Sequence, residues 1–323
     1  MKKIIPMKRL STYIAAIVLA GSLSSCLKDN SQPDFTQNKP VIELPVGSSA
    51  GNGAGNSIAA SFTISETPSD YFVYVNYAAP EANTSEVPVT LTVDAAALTK
   101  FNSVNGKNYT MIPSNGYSLV SNKITIPAGQ RKVKFPIKIN TLNLDPTKTY
   151  ALPITITDGG GYTISGNFGT LISVFNLKNK WDGVYSVSGT MMDKANSTLT
   201  GLYPRTLQFI TQGPYTVAVF DPGSGVNTYG HGINSNGTTS YYGSFSPLFT
   251  IDMATNTITA GVNYYGQPSS NGRALKMDAT GENKFTMSAD GKVPVSLNVK
   301  YIMVQDGTDR TFFDEIWKYT SAR

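Results

Sequence analysis

The chain has 323 residues, of which 40% are hydrophobic and 15% charged, and it contains one cysteine and one histidine. A lone cysteine excludes an intramolecular disulfide framework, and a lone histidine excludes a histidine metal cluster within one chain. The formal net charge of +5 gives no support to a nucleic-acid-binding surface, because residues 1–25 hold four of the 26 basic residues and none of the 21 acidic ones.

The N-terminal segment has the layout of a secretory signal. Basic residues precede an apolar run at 13–20, and small residues follow it, which predicts a signal peptide over residues 1–25. Leu23-Ser24-Ser25-Cys26 resembles the lipobox of bacterial lipoproteins. That resemblance implies that Cys26 becomes the acylated N-terminus and the attachment point to lipid, the alternative being a free cysteine after an ordinary signal. Residues 26–40 are polar and contain two prolines, so we interpret them as a flexible tether.

The pattern of residues 41–177 predicts short strands. Apolar and polar residues alternate in VPVTLTV (87–93) and in VKFPIKI (133–139), and this period of two predicts strands that are buried on one side. One helix is predicted after Asp94, which can cap it, and before Gly106, which can end it. Strands at this spacing favour an immunoglobulin-like β-sandwich. The glycine-rich segment 47–57 lacks the phosphate-loop pattern and is predicted to be a loop.

Residues 178–323 also alternate, and their turns are rich in glycine, asparagine and aspartate. They predict an all-β antiparallel meander that closes into a lipocalin-like eight-stranded barrel, because closure removes exposed strand edges; a second sandwich is the alternative. Trp181 and Trp317 are expected in the core or at the closure. The predicted strands lie at 181–193, 205–211, 215–220, 248–253, 257–265, 284–289, 295–304 and 312–319.

Four stretches in the first region carry a resemblance to a known family. VTLTVDAAALTKFN (89–102), YTMIPSNGYSL (109–119), ITIPAGQ (124–130) and LDPTKTYALPITI (144–156) resemble the N-terminal immunoglobulin-like domain of Bacteroidetes surface lipoproteins linked to polysaccharide-utilisation systems. The resemblance implies a spacer or adhesion-like module without catalytic residues, followed by a β-rich C-terminal domain. It also implies proteins of a surface transport complex as partners.

The sequence identifies no catalytic residue, metal site or cofactor. The histidine, His231, is not accompanied by a Gly-x-Ser-x-Gly elbow, so a structural or ligand-contact role is favoured over that of a catalytic base. Glycoside hydrolysis requires two carboxylates at a defined separation, and Asp314 and Glu315 are expected on opposite faces of one strand. We therefore predict a protein that is not an enzyme.

Tyrosines in the second region are the candidates for sugar binding. Aromatic rings stack on the apolar face of a sugar, and short polar groups bond its hydroxyls. In each adjacent pair of tyrosines one ring is expected to point inward and the other outward. The candidate carbohydrate-binding residues are Tyr229, His231, Tyr241, Tyr242, Asn263, Tyr264, Tyr265, Gln267 and Arg273.

Together these observations predict a non-catalytic glycan-binding lipoprotein. We expect it to be lipid-anchored in the outer membrane through Cys26, and the Lys28-Asp29 pair after the cysteine favours the cell exterior. The main alternative is an adhesion or structural protein that contacts other surface or host proteins. A barrel that encloses a small ligand and a glycoside hydrolase are weaker alternatives.

Overall fold

The computed structural model describes residues 39–45 and 56–323. Cys26 and the signal peptide lie outside these residues, together with the tether up to residue 38 and most of the glycine-rich segment 47–57. Nearly all the regular secondary structure in the described part of the chain is β-strand, and this part forms two bodies that meet near residue 180.

The first body contains eleven strands and one α-helix in its described residues. The helix, α1, spans Ala95–Asn105, and short 3-10 turns occupy Ser114–Gly116 and Thr141–Asn143. The strands are β1 Val41–Glu43, β2 Ser57–Thr63, β3 Ser69–Ala78, β4 Val87–Val93, β5 Thr110–Met111, β6 Tyr117–Leu119, β7 Lys123–Ile126, β8 Lys132–Ile139, β9 Tyr150–Asp158, β10 Thr163–Ile164 and β11 Thr170–Lys178.

These strands form a sandwich. One sheet has the order β10-β1-β3-β8-β6 and the other β2-β11-β9-β4-β7, and both contribute alternate residues to one shared core. Val75 and Phe135 enter that core from the first sheet, and Leu152 and Phe175 enter it from the second. The pairing is mixed, because β2 runs parallel to β11 whereas most neighbours are antiparallel.

Helix α1 forms where its end signals place it. The Asp94 carboxylate accepts a hydrogen bond from the Ala97 amide at 3.1 Å, which satisfies one free N–H of the first turn. Gly106 ends the helix in the left-handed region at φ +58°, and its amide donates to the Asn102 carbonyl. Leu98 packs against Ile172 outside the main core. The predicted helix is confirmed.

The second body contains thirteen strands in its described residues. They are β12 Gly183–Asp193, β13 Leu199–Gly201, β14 Arg205–Gly213, β15 Thr216–Asp221, β16 Thr228–Tyr229, β17 Gly232–Ser235, β18 Thr238–Tyr241, β19 Pro247–Ile251, β20 Ile258–Asn263, β21 Arg273–Met277, β22 Lys284–Met287, β23 Pro294–Gln305 and β24 Thr308–Ser321.

Eight of these strands form a nearly closed barrel. Their order is β20-β19-β15-β14-β12-β24-β23-β21, so the first and last strands of the meander, β12 and β24, are neighbours. The seam lies between β20 and β21, where side chains meet without a hydrogen-bonded ladder. The all-β prediction of a sandwich followed by a barrel is confirmed.

The sequence misplaced one strand of the barrel. The segment predicted at 284–289 forms β22, which pairs with β23 off the barrel path, and β21 supplies the eighth strand. Strand β21 has the sequence RALKM, which contains no β-branched or aromatic residue and therefore gives little strand signal.

The barrel interior is filled by aromatic side chains. Trp181 and Trp317 are both fully buried, which confirms their predicted core position. The Trp317 ring stacks on Phe209, with ring centroids 4.3 Å apart and an interplanar angle of 11°. Because large side chains occupy the interior, this packing gives no support to a barrel that encloses a small ligand.

The long loops of the barrel gather at one end. We call this the loop end; it is the end where β12, β15, β20 and β23 finish and where β14, β19, β21 and β24 begin. The three-stranded sheet β13-β17-β18 lies in these connections. The tyrosine-rich segments predicted to bind sugar are therefore carried by neighbouring connections of one barrel.

Candidate functional site

A short connection fixes the barrel against the sandwich. Strand β11 ends at Lys178 and β12 begins at Gly183, so four residues join the two bodies. The Asn179 amide donates to the carbonyls of Gly213 and Thr216 at 3.2 and 2.9 Å. The Asp182 carboxylate accepts from the amide and the hydroxyl of Thr211 at 2.8 and 2.9 Å. The connection is thus tied to the β14–β15 hairpin, beside a space between the two bodies.

That space is a cleft of about 420 Å³. Its volume lies within the range of small-molecule sites, about 300–1,000 Å³. The walls are largely polar, with hydroxyl, amide and cationic side chains from both bodies. The lining residues are Pro146, Thr147, Lys148, Thr149, Asn176, Leu177, Lys178, Ile210, Thr211, Gln212, Tyr229 and Arg323.

Tyr229 connects this cleft to the tyrosines of the loop end. Its hydroxyl accepts a hydrogen bond from the Gln212 amide at 3.1 Å, at the cleft wall. Its ring stacks on Tyr264, with centroids 4.3 Å apart and planes within 16°. Its ring is also perpendicular to that of Phe220, at a centroid distance of 5.4 Å. Tyr229 is therefore held on three sides and lines the cleft.

Tyr265 extends the same cluster. Its ring is perpendicular to that of Tyr264, and its hydroxyl donates to the Tyr229 carbonyl at 2.9 Å. The Tyr265 side chain is 40% exposed, whereas Tyr264 is half-buried. We call Tyr229, Tyr264, Tyr265 and the cleft the tyrosine–cleft surface.

The side chains of Tyr241 and Tyr242 differ in exposure, as expected for adjacent residues on a strand. Tyr241 is 42% exposed, and Tyr242 is 4% exposed with its hydroxyl donating to the Asp193 carboxylate. Burial is the main reason that the pKa of Tyr242 is raised, and the Asp193 carboxylate raises it further. The ring of Tyr242 is thus part of the barrel, and Tyr241 stands beside Gly230.

The structure gives Asn263 and Gln267 scaffolding contacts. The Asn263 amide donates to the carbonyls of Ser244 and Arg273, and its oxygen accepts from the amides of Ser246 and Tyr265. Gln267 bonds the backbone of Asn263 and of Leu275. Both predicted hydroxyl partners hold the β20–β21 loop in shape, and Asn263 uses its full bonding capacity in doing so.

His231 lies inside the barrel. It is 1% exposed, and its Nε2 is 2.6 Å from the Glu315 carboxylate, which is itself fully buried. Its Nδ1 faces the Gly232 carbonyl oxygen at 2.8 Å. An ionised carboxylate and a carbonyl oxygen only accept hydrogen bonds, so beside an ionised Glu315 this geometry favours a proton on both ring nitrogens. The His231 ring is thus placed in the barrel core as the partner of Glu315, away from the exposed tyrosines.

The pKa values of this buried pair move apart. Burial acts against the charged form of His231, but the Glu315 carboxylate outweighs it, so the pKa of His231 is raised above its ordinary 6.5. Burial likewise opposes ionisation of Glu315, but the His231 charge and further donors lower its pKa below 4.5. Those donors are the hydroxyl of Tyr203 and the indole of Trp317, and the Tyr301 hydroxyl also donates to this carboxylate.

Apart from Tyr229, the cleft residues were not predicted from the sequence, nor was the pairing of Glu315 with His231. Asp314 and Glu315 do occupy opposite faces, as expected, with Asp314 exposed and Glu315 in the core. Glu315 alternates with Phe313 and Trp317, so a charged residue on an apolar face was the available signal for a buried partner. The cleft brings together residues 146–149 and 210–212, and no spacing in the sequence encodes that contact.

The described residues hold no group of three or more His, Cys, Asp or Glu side chains arranged to bind a metal ion. Within residues 39–45 and 56–323, no helix has the length and apolar character needed to span a membrane.

Comparison with known proteins supports the fold. A family model described as "-like, N-terminal domain" matches residues 40–163. A Bacteroides ovatus protein of unknown function is similar over 88% of this chain and 95% of its own, with 12% identity and a TM-score of 0.57. The two chains therefore share a fold across both bodies. No curated protein matches the chain.

Two further solved structures have lower TM-scores. A second Bacteroides ovatus protein of unknown function covers 87% of this chain and 93% of its own, with 14% identity and a TM-score of 0.44. An auxiliary nutrient binding protein from Bacteroides thetaiotaomicron covers 84% of this chain and 94% of its own, with 14% identity and a TM-score of 0.43.

Proposed function

We propose that this protein is a non-catalytic glycan-binding lipoprotein whose sugar site is the tyrosine–cleft surface. The observation that carries the proposal is the position of Tyr229, which lines a polar cleft and stacks on a second tyrosine. An aromatic ring beside short polar side chains is the combination that a sugar requires, because a pyranose has an apolar face and a rim of hydroxyls.

The cleft supplies the polar half of this combination. Thr147 and Asn176 approach from the sandwich, and Gln212 approaches from the barrel. Hydroxyl and amide groups can donate and accept in turn, which suits the hydroxyls of a sugar. Since the two bodies are tied together through Asn179 and Asp182, the site is formed before a ligand arrives, and preorganisation of this kind favours affinity.

The arrangement of the rings favours a single glycan chain over a flat crystalline surface. Tyr229 and Tyr264 cover part of each other, and Tyr265 is perpendicular to Tyr264. These rings do not share a plane, so they cannot form an extended platform. A cleft with an aromatic wall accommodates one chain or one chain end.

The test is glycan binding by the purified protein and two variants. Affinity electrophoresis against a polysaccharide panel identifies a ligand, and calorimetry then measures its dissociation constant. We expect Tyr229→Ala and Tyr264→Ala each to weaken binding by roughly tenfold or more, which corresponds to about 1.4 kcal/mol. Tyr74→Ala is the matched control, since Tyr74 is a half-buried tyrosine on the outward face of β3 in the other body.

Two results would contradict the proposal. One is that no glycan in the panel is retained by the wild-type protein. The other is that Tyr229→Ala and Tyr74→Ala bind a retained glycan equally well, which would place the site elsewhere.

The anchor is the second part of the proposal, and the sequence around Cys26 supports it. Acylation of this residue, with two or more chains, gives durable membrane attachment. In a bacterial host, we expect radiolabelled fatty acid to be incorporated into the wild-type chain and to be absent from Cys26→Ser. Equal labelling of both chains would contradict attachment at Cys26. Removal of the protein by protease added to intact cells tests its exposure on the exterior.

A further inference from the structure

A cluster at the loop end has two arginines and one carboxylate around the ring of Tyr242. Arg273 begins β21, and Arg310 lies near the start of β24. Their guanidinium carbons are 5.3 and 5.7 Å from the centroid of the Tyr242 ring. Asp193, the last residue of β12, is the carboxylate of the cluster, and its side chain is fully buried.

Asp193 already has a complete set of partners. Its two oxygens accept from Arg310 Nε at 3.3 and 3.1 Å, from the amides of Ala195 and Asn196 at 2.9 Å, and from the hydroxyls of Tyr242 and Thr311. These donors outweigh the effect of burial and lower the pKa of Asp193. The carboxylate therefore remains ionised and balances one of the two arginines.

Arg273 has no carboxylate partner among the residues described here. Its Nε donates to the Gln305 side chain at 3.1 Å, and its Nη1 donates to the Gly243 carbonyl. Partial burial is the main cause of the lowered pKa of Arg273, and the neighbouring charge of Arg310 lowers it further. Tyr242 and Asp193 oppose that shift without cancelling it. The cluster thus keeps one uncompensated positive charge.

Three guanidinium nitrogens in the cluster are free to bind an external partner. Arg273 Nη2 and both terminal nitrogens of Arg310 have no acceptor in the described part of the chain. None of the three is among the buried nitrogens that lack a hydrogen-bond partner, so solvent reaches them. Guanidinium groups with free N–H donors bind both planar carboxylates and tetrahedral oxyanions through charge-assisted hydrogen bonds, often two in parallel.

We infer that Arg273 and Arg310 form a subsite for an oxyanion carried by a sugar, either a uronate carboxylate or a sulfate ester. The inference rests on the proposed glycan-binding function and specifies an acidic class of ligand. The β20–β21 loop links the two sites, because it begins with Tyr264 and Tyr265 and leads to Arg273. Asn263 donates to the Arg273 carbonyl and fixes the two ends of the loop together. A glycan on the tyrosine–cleft surface would thus have an anion-binding group on a neighbouring connection.

The first test uses small probes, so it does not depend on polymer binding. Free galacturonate, galactose and inorganic sulfate are titrated into the full chain and followed by calorimetry. We expect galacturonate or sulfate to bind and galactose to bind at least about tenfold more weakly, since charge-assisted bonds are the stronger ones. A response to galacturonate without sulfate identifies a carboxylate site, and the reverse result identifies a sulfate site.

Two variants of Arg273 and one control show whether the anion binds at this cluster. Arg273→Gln removes the uncompensated charge and is expected to weaken anion binding about tenfold. Lys134→Gln is the matched control, because it removes one exposed charge from β8 in the other body. Arg273→Lys keeps the charge but loses the planar fork, so it should weaken carboxylate binding while remaining folded. Circular dichroism checks the fold of each variant.

The two proposals can fail separately. If neutral and acidic glycans bind the tyrosine–cleft surface with equal affinity, and Arg273→Gln changes neither, the anion subsite is overturned and the glycan site stands. If galacturonate and sulfate bind only as strongly to the wild-type chain as to Arg273→Gln, the subsite is likewise overturned. If Arg273→Gln weakens anion binding while no glycan responds to Tyr229→Ala, the anion subsite stands and the proposed glycan function fails.

Discussion

The cores of the sandwich and the barrel differ in the polar side chains that they bury. In the described residues, the buried polar side chains of the sandwich are uncharged: Asn56, Asn83, Thr141 and Ser173. The barrel buries four carboxylates, Asp182, Asp193, Asp221 and Glu315, and each has a cationic partner. A buried charge is costly unless it is paired and hydrogen-bonded, so the barrel needs these partners where the sandwich needs only apolar packing.

The buried carboxylates of the barrel also fix its loops through specific hydrogen bonds. Asp193 ends β12 and Asp221 ends β15, and both accept backbone amides of the connections that follow them. Glu315 holds His231, which lies in the connection before β17. The polar core of the barrel therefore sets the shape of the loop end, which carries Tyr229, Tyr264 and Arg273.

Loss of a buried partner should have the largest effect on stability. Glu315→Ala removes the shared acceptor of four buried donors, those of His231, Tyr203, Tyr301 and Trp317. We expect a loss of about 3–5 kcal/mol in the free energy of unfolding, because a buried pair is broken and its donors are left unpaired. Urea denaturation followed by tryptophan fluorescence measures it, since both tryptophans lie in the barrel. Asp314→Ala, at the exposed neighbour, should cost less than about 1 kcal/mol. Equal losses of stability in Glu315→Ala and Asp314→Ala would contradict the claim that the barrel depends on its buried charge pairs.

The second-largest expected difference between the two bodies is in how their stability depends on pH. The charge of His231 stabilises the fold fully below its ordinary pKa of 6.5, and this contribution is lost as the pH rises through the raised pKa of the folded state. The charge of Glu315 stabilises the fold fully above 4.5, and this contribution is lost as the pH falls through its lowered pKa. The pair therefore contributes most between pH 4.5 and 6.5.

Urea midpoints across pH 3 to 9 in ~1-unit steps measure this window. We expect the dependence of the barrel transition to flatten in a variant that combines His231→Gln with Glu315→Gln. Phe135→Ala serves as the comparison in the sandwich, where the loss of a buried ring costs about 3–5 kcal/mol at every pH. An unchanged pH profile in the double variant would show that the pair does not control it.

The smallest predicted effect concerns helix α1 of the sandwich. Asp94→Ala removes the side-chain cap of α1, and we expect a loss of about 1 kcal/mol. Lys100→Ala, at an exposed position of the same helix, provides the control and should change little. Thermal unfolding monitored by circular dichroism measures both variants. A cost well above that of Phe135→Ala would mean that the helix contributes more than its cap.

Local patterns in the sequence predicted most of the fold. Alternation of apolar residues located the long strands, and Asp94 and Gly106 located the helix ends, because both signals depend on neighbouring residues alone. Strand β21 was missed because RALKM has low strand propensity and is held by its pairing with β23.

The candidate site was predicted only in part. Tyrosine density led to Tyr229, Tyr264 and Tyr265, which the structure brings into contact. The density of tyrosines did not distinguish these three residues from Tyr242, which is buried. Gln212 and the sandwich side of the cleft are distant in the sequence, and the pairing of Glu315 with His231 joins residues 84 positions apart. Such contacts come from strand order, which local patterns do not specify.

Hydrogen–deuterium exchange with and without a retained glycan tests the central claim most directly. We predict slower exchange in the glycan-bound protein at 146–149, 210–212 and 226–231, and in the β20–β21 loop at 264–272, with no change on the outward face of β3 and β8. Protection on that outward face of the sandwich, with none around Tyr229, would contradict the assignment of the sugar site to the tyrosine–cleft surface.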